Sequence, residues 1–341
     1  MKKILFAALF ACILFSCKQN KPETVERAFY YWKSNRSYIS DMERKVLDSA
    51  QVTKVYVKFF EVEKNNVMGN IPISKTSLRF YDVKDYFTFV PTVYLHNDVF
   101  SKIDKASLDT LANNVNYLID KYISNRMERD SVTEYQMDCD WTPSTKDNYF
   151  YFLKKIKELS GKKISCTLRL YPYKYKDKMG VPPVDSAMLM CYNLINPMKN
   201  HDKNSILDID ELSSYLGDFN YPLHLDVALP LYSWAHVYQN NQFVQVLYTD
   251  IKELKKSLKP QKDLWYEVTE DIEVNDFYLR KGDKVKIEEM SADYINKAIA
   301  VITKKVPFDK NITVSFFHLD ETQLSPYTNE EISAFYTGFT K

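Results

Sequence analysis

Glu134-Tyr135-Gln136-Met137-Asp138-Cys139-Asp140-Trp141 is followed by a polar loop, a helical period over 146–159 and a second apolar run at 163–170. Thr145 and Asp147 supply the polar start expected of that helix, and Gly161 its stop. A strand, a helix and another strand in this order make a β-α-β unit, whose two strands lie parallel. Apolar, strand-like runs of the same kind recur along the chain at 28–32, 55–62, 87–95, 134–141, 163–170, 187–193, 223–231 and 312–319. Helical periodicity between them is clearest at 107–124, 146–159 and 292–304, with shorter candidates at 208–216 and 250–258. Several of the strands are apolar throughout, as strands covered on both faces must be. Number and spacing predict a single α/β domain over 25–341, a (β/α)8 TIM barrel. A doubly wound open sheet is the competing arrangement. Residues 264–290 break the alternation. Two strand-like stretches at 272–278 and 284–289, around Arg280-Lys281-Gly282-Asp283, predict an inserted β-hairpin.

The amino end reads differently. Met1-Lys2-Lys3, an apolar run from Ile4 to Phe15 and then Ser16-Cys17 have the layout of a secretory leader over 1–16. The run is too short to span a bilayer as a permanent helix. Leu14-Phe15-Ser16-Cys17 resembles a bacterial lipobox, in which the cysteine becomes the acylated first residue. Phe15 departs from the small residue usual there. The resemblance implies lipidation at Cys17 and a lipid bilayer as partner, with 17–24 as a polar tether. The tether lacks the acidic run that, by resemblance, marks many surface-exported lipoproteins, so a periplasm-facing outer-membrane anchor is expected.

Without Lys2 and Lys3 the 46 basic residues fall to 44 against 45 acidic ones, so no basic excess is present to attract nucleic acid. Only 6 glycines stand against 26 tyrosines, and no glycine-rich phosphate loop occurs, so no nucleotide cofactor is expected. Cys139, Cys166 and Cys191 lie in apolar runs without close spacing, where cysteine acts as a small hydrophobe; no metal centre of these residues is expected. Two His-x-Asp pairs, His224/Asp226 and His318/Asp320, are the remaining candidates for metal ligands.

In a barrel of this kind chemistry sits at the carboxyl ends of the strands. There the fourth run delivers Asp138, Asp140 and Trp141. If both aspartates are in the strand they share a face, about 7 Å apart. Like charges so placed push one group to hold its proton. Arg169 shares a face with Thr167 and Tyr171 on the next run and needs an anionic partner, which Asp138 or Asp140 provides. Tyr192, Asn193, Tyr232 and Trp234 end the following runs. Trp141, Tyr232 and Trp234 offer planes suited to the C–H faces of sugar rings, or else pack beneath the loops.

Asp138-Cys139-Asp140-Trp141 resembles part of the fourth-strand motif D-x-x-D-x-D-x-E of the chitinase family. That resemblance implies a catalytic Glu after the tryptophan, where this chain has Thr142; the motif's first Asp is replaced by Tyr135. Over most of its length the chain resembles a family of bacterial lipoproteins with a glycosidase-like barrel. The matching residues are Asp138 to Thr142, Arg169, Pro182-Pro183-Val184-Asp185 and Met188-Leu189-Met190-Cys191-Tyr192-Asn193. The resemblance implies a barrel and a polysaccharide setting, without a reaction.

Two expectations follow. One is glycoside hydrolysis with Asp140 as the general acid or the residue that positions it, Asp138 as its electrostatic partner, Asp226 or Glu267 as second carboxylate, and Arg169, Tyr192, Asn193, Trp141, Tyr232 and Trp234 contacting the glycan. The other is a non-catalytic glycan-binding lipoprotein on a degenerate barrel, favoured by Thr142.

Overall fold

The computed structural model describes residues 21–79, 87–124, 132–198, 202–217 and 220–340. The leader, Cys17 and the first half of the tether lie outside the described residues.

The first strands in the chain are β1 (Thr24–Tyr31), β2 (Lys54–Asn65), β3 (Gly69–Ile73), β4 (Thr88–Leu95), β5 (Glu134–Asp138), β6 (Lys163–Arg169), β7 (Ser186–Met190) and β8 (His224–Pro230). Next come β9 (Trp234–Gln239), β10 (Gln242–Leu247), β11 (Leu258–Pro260), β12 (Trp265–Val268), β13 (Ile272–Val274), β14 (Phe277–Leu279) and β15 (Lys284–Glu288), and the last is β16 (Asn311–Phe317). Parallel pairing runs β1–β2–β4–β5–β6–β7–β8–β16 and returns to β1, so eight of these strands close into a barrel. β3 adds an antiparallel strand outside β2. The expected (β/α)8 TIM barrel is present, and the open sheet is excluded by the β1–β2 and β1–β16 pairings.

Helices Lys105–Ser124, Lys146–Ser160 and Ala292–Lys305 cover the barrel with Leu108, Leu111, Phe152, Leu153, Ile295 and Ile302 among their buried residues. Gly161 ends the second of these in the left-handed conformation, φ 64°, which glycine adopts without penalty.

Many of the polar residues inside the barrel are paired strand to strand. On β5, Glu134, Gln136 and Asp138 alternate inward from base to mouth; on β6, Ser165, Thr167 and Arg169 do the same. Ser165 donates to Glu134 at 2.5 Å, and Thr167 to Asp138 at 2.6 Å. Lys54 joins Glu26 and Glu134 at the base. Tyr30 donates to Gln136 at 2.7 Å and stacks on Tyr56, ring centroids 5.0 Å apart, which fills the middle.

The insert is larger than a hairpin. Residues 234–288 form a five-stranded antiparallel sheet, β10-β9-β15-β12-β11, and a separate β13–β14 hairpin. Its own apolar cluster includes Ala235, Val237, Leu247, Val268, Val285 and Ile287. The hairpin turns at Asn275-Asp276, both at positive φ (50° and 62°), as a two-residue turn of type I′ requires. The expected turn at Arg280–Asp283 instead passes the chain to β15, which pairs with β9 and β12. β9 is more than 40 residues distant in sequence, so local turn signals do not reveal this pairing.

Candidate functional site at the barrel mouth

Asp138 is the last residue of β5, and Tyr94 on β4 is its register partner. The strand ends three residues earlier than expected, so Asp140 and Trp141 belong to the loop beyond it. This separates the two aspartates. Asp138 is 8% exposed and accepts from Thr167 inside the barrel. Burial, then the neighbouring Asp140 charge, pushes its carboxyl up to about 6, against the lowering effects of Arg169 and Thr167. Asp140 stands in the open and meets Arg169 in a fork, Nε to Oδ1 at 2.7 Å and Nη2 to Oδ2 at 3.4 Å. The expected anionic partner of Arg169 is therefore Asp140. A bidentate guanidinium–carboxylate contact of this type fixes both groups in direction as well as charge.

Arg169 also lies over the Tyr192 ring, 5.8 Å from guanidinium carbon to centroid. Its Nη1 is buried without a hydrogen-bond partner. Burial and the Asp138 and Asp140 carboxylates hold the Tyr94 phenol up at about 12. Tyr192 is itself buried, and its phenol is raised chiefly for that reason. Tyr232 donates to Asn193 Oδ1 at 2.5 Å, tying the loop after β7 to the end of β8. A hollow of about 580 Å³ opens beside the ion pair, lined by Asp140, Thr142, Arg169, Tyr171, Tyr192 and Asn193 among others.

Further round the rim, Lys58 pairs with Glu61 at 2.5 Å and lies 5.6 Å over the Trp32 ring, while His96 Nε2 is 3.5 Å from Glu61. Phe317 is the hub of the aromatic floor, with ring centroids 5.5 to 5.9 Å from Tyr30, Trp32, Tyr192 and Tyr232. The sequence reading did not place Trp32 or Phe317 in the site. Their signal was available: each is the aromatic residue at or just past a strand end.

Trp141 lines the hollow but is nearly buried, and three other expected site residues lie elsewhere. Trp141 is 4% exposed, donates Nε1 to the Met179 carbonyl at 3.1 Å and packs on Tyr149 and Phe150. Most of its plane is spent on packing beneath the loop, and what remains exposed lines the hollow. Asp226 is the third residue of β8, near the amino end of the strand, and accepts from the Thr313 amide at 2.6 Å and from His224 at 3.3 Å. It belongs to the base of the barrel. Glu267 lies on β12 of the inserted sheet, exposed, and accepts from Gln261 at 3.2 Å. Neither supplies a carboxylate to the mouth. Trp234 stands at the start of β9, half-buried, with its Nε1 on Glu288 at 2.6 Å and its ring 5.4 Å from Tyr232. It reaches the rim only through Tyr232.

His224 opens β8 whereas His318 follows β16, so the two His-x-Asp pairs occupy opposite ends of the barrel. Asp320 is bound to Lys33 at 3.0 Å and caps the short helix after it. Among the described residues no group of three metal-ligating side chains converges. Thr142 Oγ1 bonds with Ser144 at 2.9 Å and with Thr145 at 3.1 Å.

No protein-family model matches this sequence. No curated protein matches it either. Solved structures do share its fold. The spore cortex-lytic enzyme SleL of Bacillus megaterium QM B1551 superposes with a TM-score of 0.57 at 15% identity, over 94% of this chain and 75% of that one. Group II chitinase catalytic domain 2 of Ostrinia furnacalis gives 0.52 at 11% identity, over 93% and 96%. A plant class V chitinase mutant from Cycas revoluta, solved with (GlcNAc)3, gives 0.52 at 10%, over 92% and 100%. At such identities the likeness is one of fold.

Proposed function

We propose that the chain is a lipid-anchored protein that binds a glycan at the mouth of a glycoside-hydrolase-like barrel without cleaving it. One observation carries this reading: among the described residues lining the hollow, Asp140 is the one carboxylate, and Arg169 neutralises it. Hydrolysis with two carboxyl groups needs one protonated and one ionised group flanking the scissile bond. Asp138 is sealed beneath the hollow against Thr167, and Asp226 and Glu267 are remote. Thr142 stands where the chitinase family, which the motif resembles, carries its acid, and its hydroxyl is already engaged. What remains suits binding: a fixed guanidinium, an asparagine, and tyrosines 171 and 192 around an open cavity.

A second reading, hydrolysis, is favoured by the Asp138 carboxyl held near 6 beside the Asp140 charge, since environments that push two carboxyls apart are how acid and base are made. The deciding experiment incubates the purified domain with a panel of glycans and measures both binding and new reducing ends. Binding without new ends is expected. Turnover abolished in Asp140→Asn would replace the binding reading with the enzymatic one.

The anchor rests on Leu14-Phe15-Ser16-Cys17 and on the polar tether behind it. Acylation at Cys17 would hold the domain at a periplasm-facing outer membrane. Metabolic labelling with a palmitate analogue should mark the protein and should fail in Cys17→Ser.

A further inference from the structure

We propose that the inserted sheet carries a second binding site, separate from the mouth, that takes the ring of a neutral sugar against Trp265, backed by Tyr238. The argument starts from the two faces of the sheet. Residues alternate across it, so Ala235, Val237, Val285 and Ile287 turn to its own apolar core. The opposite face carries Trp234, His236 and Tyr238 on β9, Lys284, Lys286 and Glu288 on β15, and Trp265 and Glu267 on β12, aligned by register. Near the barrel this face is closed. Ser205 donates to Glu288 at 2.5 Å and Lys286 to the Lys203 carbonyl at 2.8 Å, so His236, Lys286 and Glu288 are fully buried there.

Beyond this closed region the same face opens into a hollow of about 410 Å³, within the range of small-ligand pockets. Trp265 lines it half-buried, and the buried Tyr238 packs against it with ring centroids 5.0 Å apart and planes at 55°, so Trp265 offers the face against which a sugar ring can rest. The negative faces of such rings attract the C–H side of a pyranose. Around them stand Glu267 as acceptor, Lys284 as donor, and the Asn241 and Gln261 amides as both. Lys284 bonds with Asn241 at 2.9 Å and Gln261 with Glu267 at 3.2 Å, which leaves further donors and acceptors on each group. Lys284 and Glu267 are cross-strand partners, so their charges balance. That balance favours an uncharged polyhydroxyl ligand over an anion or a cation.

Trp234 and Tyr238 are four residues apart on β9, about 13 Å along the strand. With the middle of the face covered, the hollow is a site in its own right, and it stands whether or not the mouth binds. Two sites on one polymer would raise avidity through effective concentration.

The test titrates the full mature chain with neutral hexasaccharides of β-linked glucose, N-acetylglucosamine, xylose and mannose, by calorimetry and tryptophan fluorescence. Trp265→Ala and Glu267→Gln report on the hollow, and Arg169→Ala on the mouth. The expected result is a binding component that survives in Arg169→Ala and weakens about tenfold in Trp265→Ala and roughly threefold in Glu267→Gln. Glu267 is exposed, so its variant decides the matter if Trp265→Ala does not fold. Absence of binding by every probe, or binding that only Arg169→Ala diminishes, overturns the second site. A component lost in Trp265→Ala with none lost in Arg169→Ala supports it and removes the mouth instead.

Discussion

The Thr167 hydroxyl reaches Asp138 Oδ1 across 2.6 Å, inside the barrel, on a carboxyl that burial holds up at about 6. A free aspartate titrates near 3.9, so between about pH 4 and 6 the folded chain binds the extra proton. Stability should therefore fall as pH rises through that window, and the two-unit gap corresponds to roughly 3 kcal/mol at neutral pH. Asp138→Asn keeps an acceptor for Thr167 and removes the charge. It should be more stable than wild type above about pH 6 and lose the slope below it, which urea midpoints taken from acid to neutral pH will read. Equal slopes in the two proteins would refute this assignment.

Arg169 holds Asp140 in a fork and covers Tyr192, and both contacts depend on a planar guanidinium. Arg169→Ala should weaken glycan binding at the mouth by about tenfold or more, and Arg169→Lys should not restore it, because a point charge cannot reproduce the fork. Affinity measured at low and high salt separates this loss from a general charge effect. Full affinity in Arg169→Lys would show that charge alone is required.

The barrel was legible because its evidence is local. The clearest β-α-β unit shows an apolar run, a helical period and a stop at Gly161, and the eight strands recur in order. The same alternation announced that Arg169 would face an aspartate, though it could not say which. For Trp141 the sequence left two readings open, because an aromatic at a strand end reads alike whether it faces solvent or, as it mostly does here, packs on Tyr149. Asp226 misled for a different reason: a His-x-Asp pair marks a strand face without marking which end of the barrel it occupies. The inserted sheet was underread because β9 finds β15 across more than 40 residues, a pairing settled by the apolar core that Val237 and Val285 share. Trp32 and Phe317 were visible as strand-end aromatics, and only closure of β1 against β16 brings them together.

At the base of the barrel His224 bridges Asp226 at 3.3 Å and Asp309 at 2.7 Å. Its bond to Asp226 comes first among the causes that raise its pKa, and partial burial opposes it. A raised histidine stabilises the fold fully below its unfolded value near 6.5, and the gain is lost as pH climbs through the folded value. His224→Gln should therefore lower the melting temperature at mildly acid pH and change it little at alkaline pH. This window lies above that of Asp138, so the two variants are distinguishable in one pH series. A deficit that is constant with pH would mean that His224 acts by packing alone.

Lys286 and Glu288 form an ion pair at 2.6 Å with both side chains fully buried between the inserted sheet and the barrel loop at Ser205. Coulombic attraction in such a place largely repays desolvation, so the pair as a whole contributes little, whereas either charge alone is costly. Lys286→Met strands the Glu288 carboxylate and should destabilise the domain by about 3–5 kcal/mol. The double variant Lys286→Met/Glu288→Gln keeps an acceptor for Ser205 and for the Trp234 indole, which donates to Glu288 at 2.6 Å. It should recover most of the loss. Urea unfolding of the wild type, both single variants and the double variant closes the cycle, and a coupling energy near zero would show that the two charges are screened from each other.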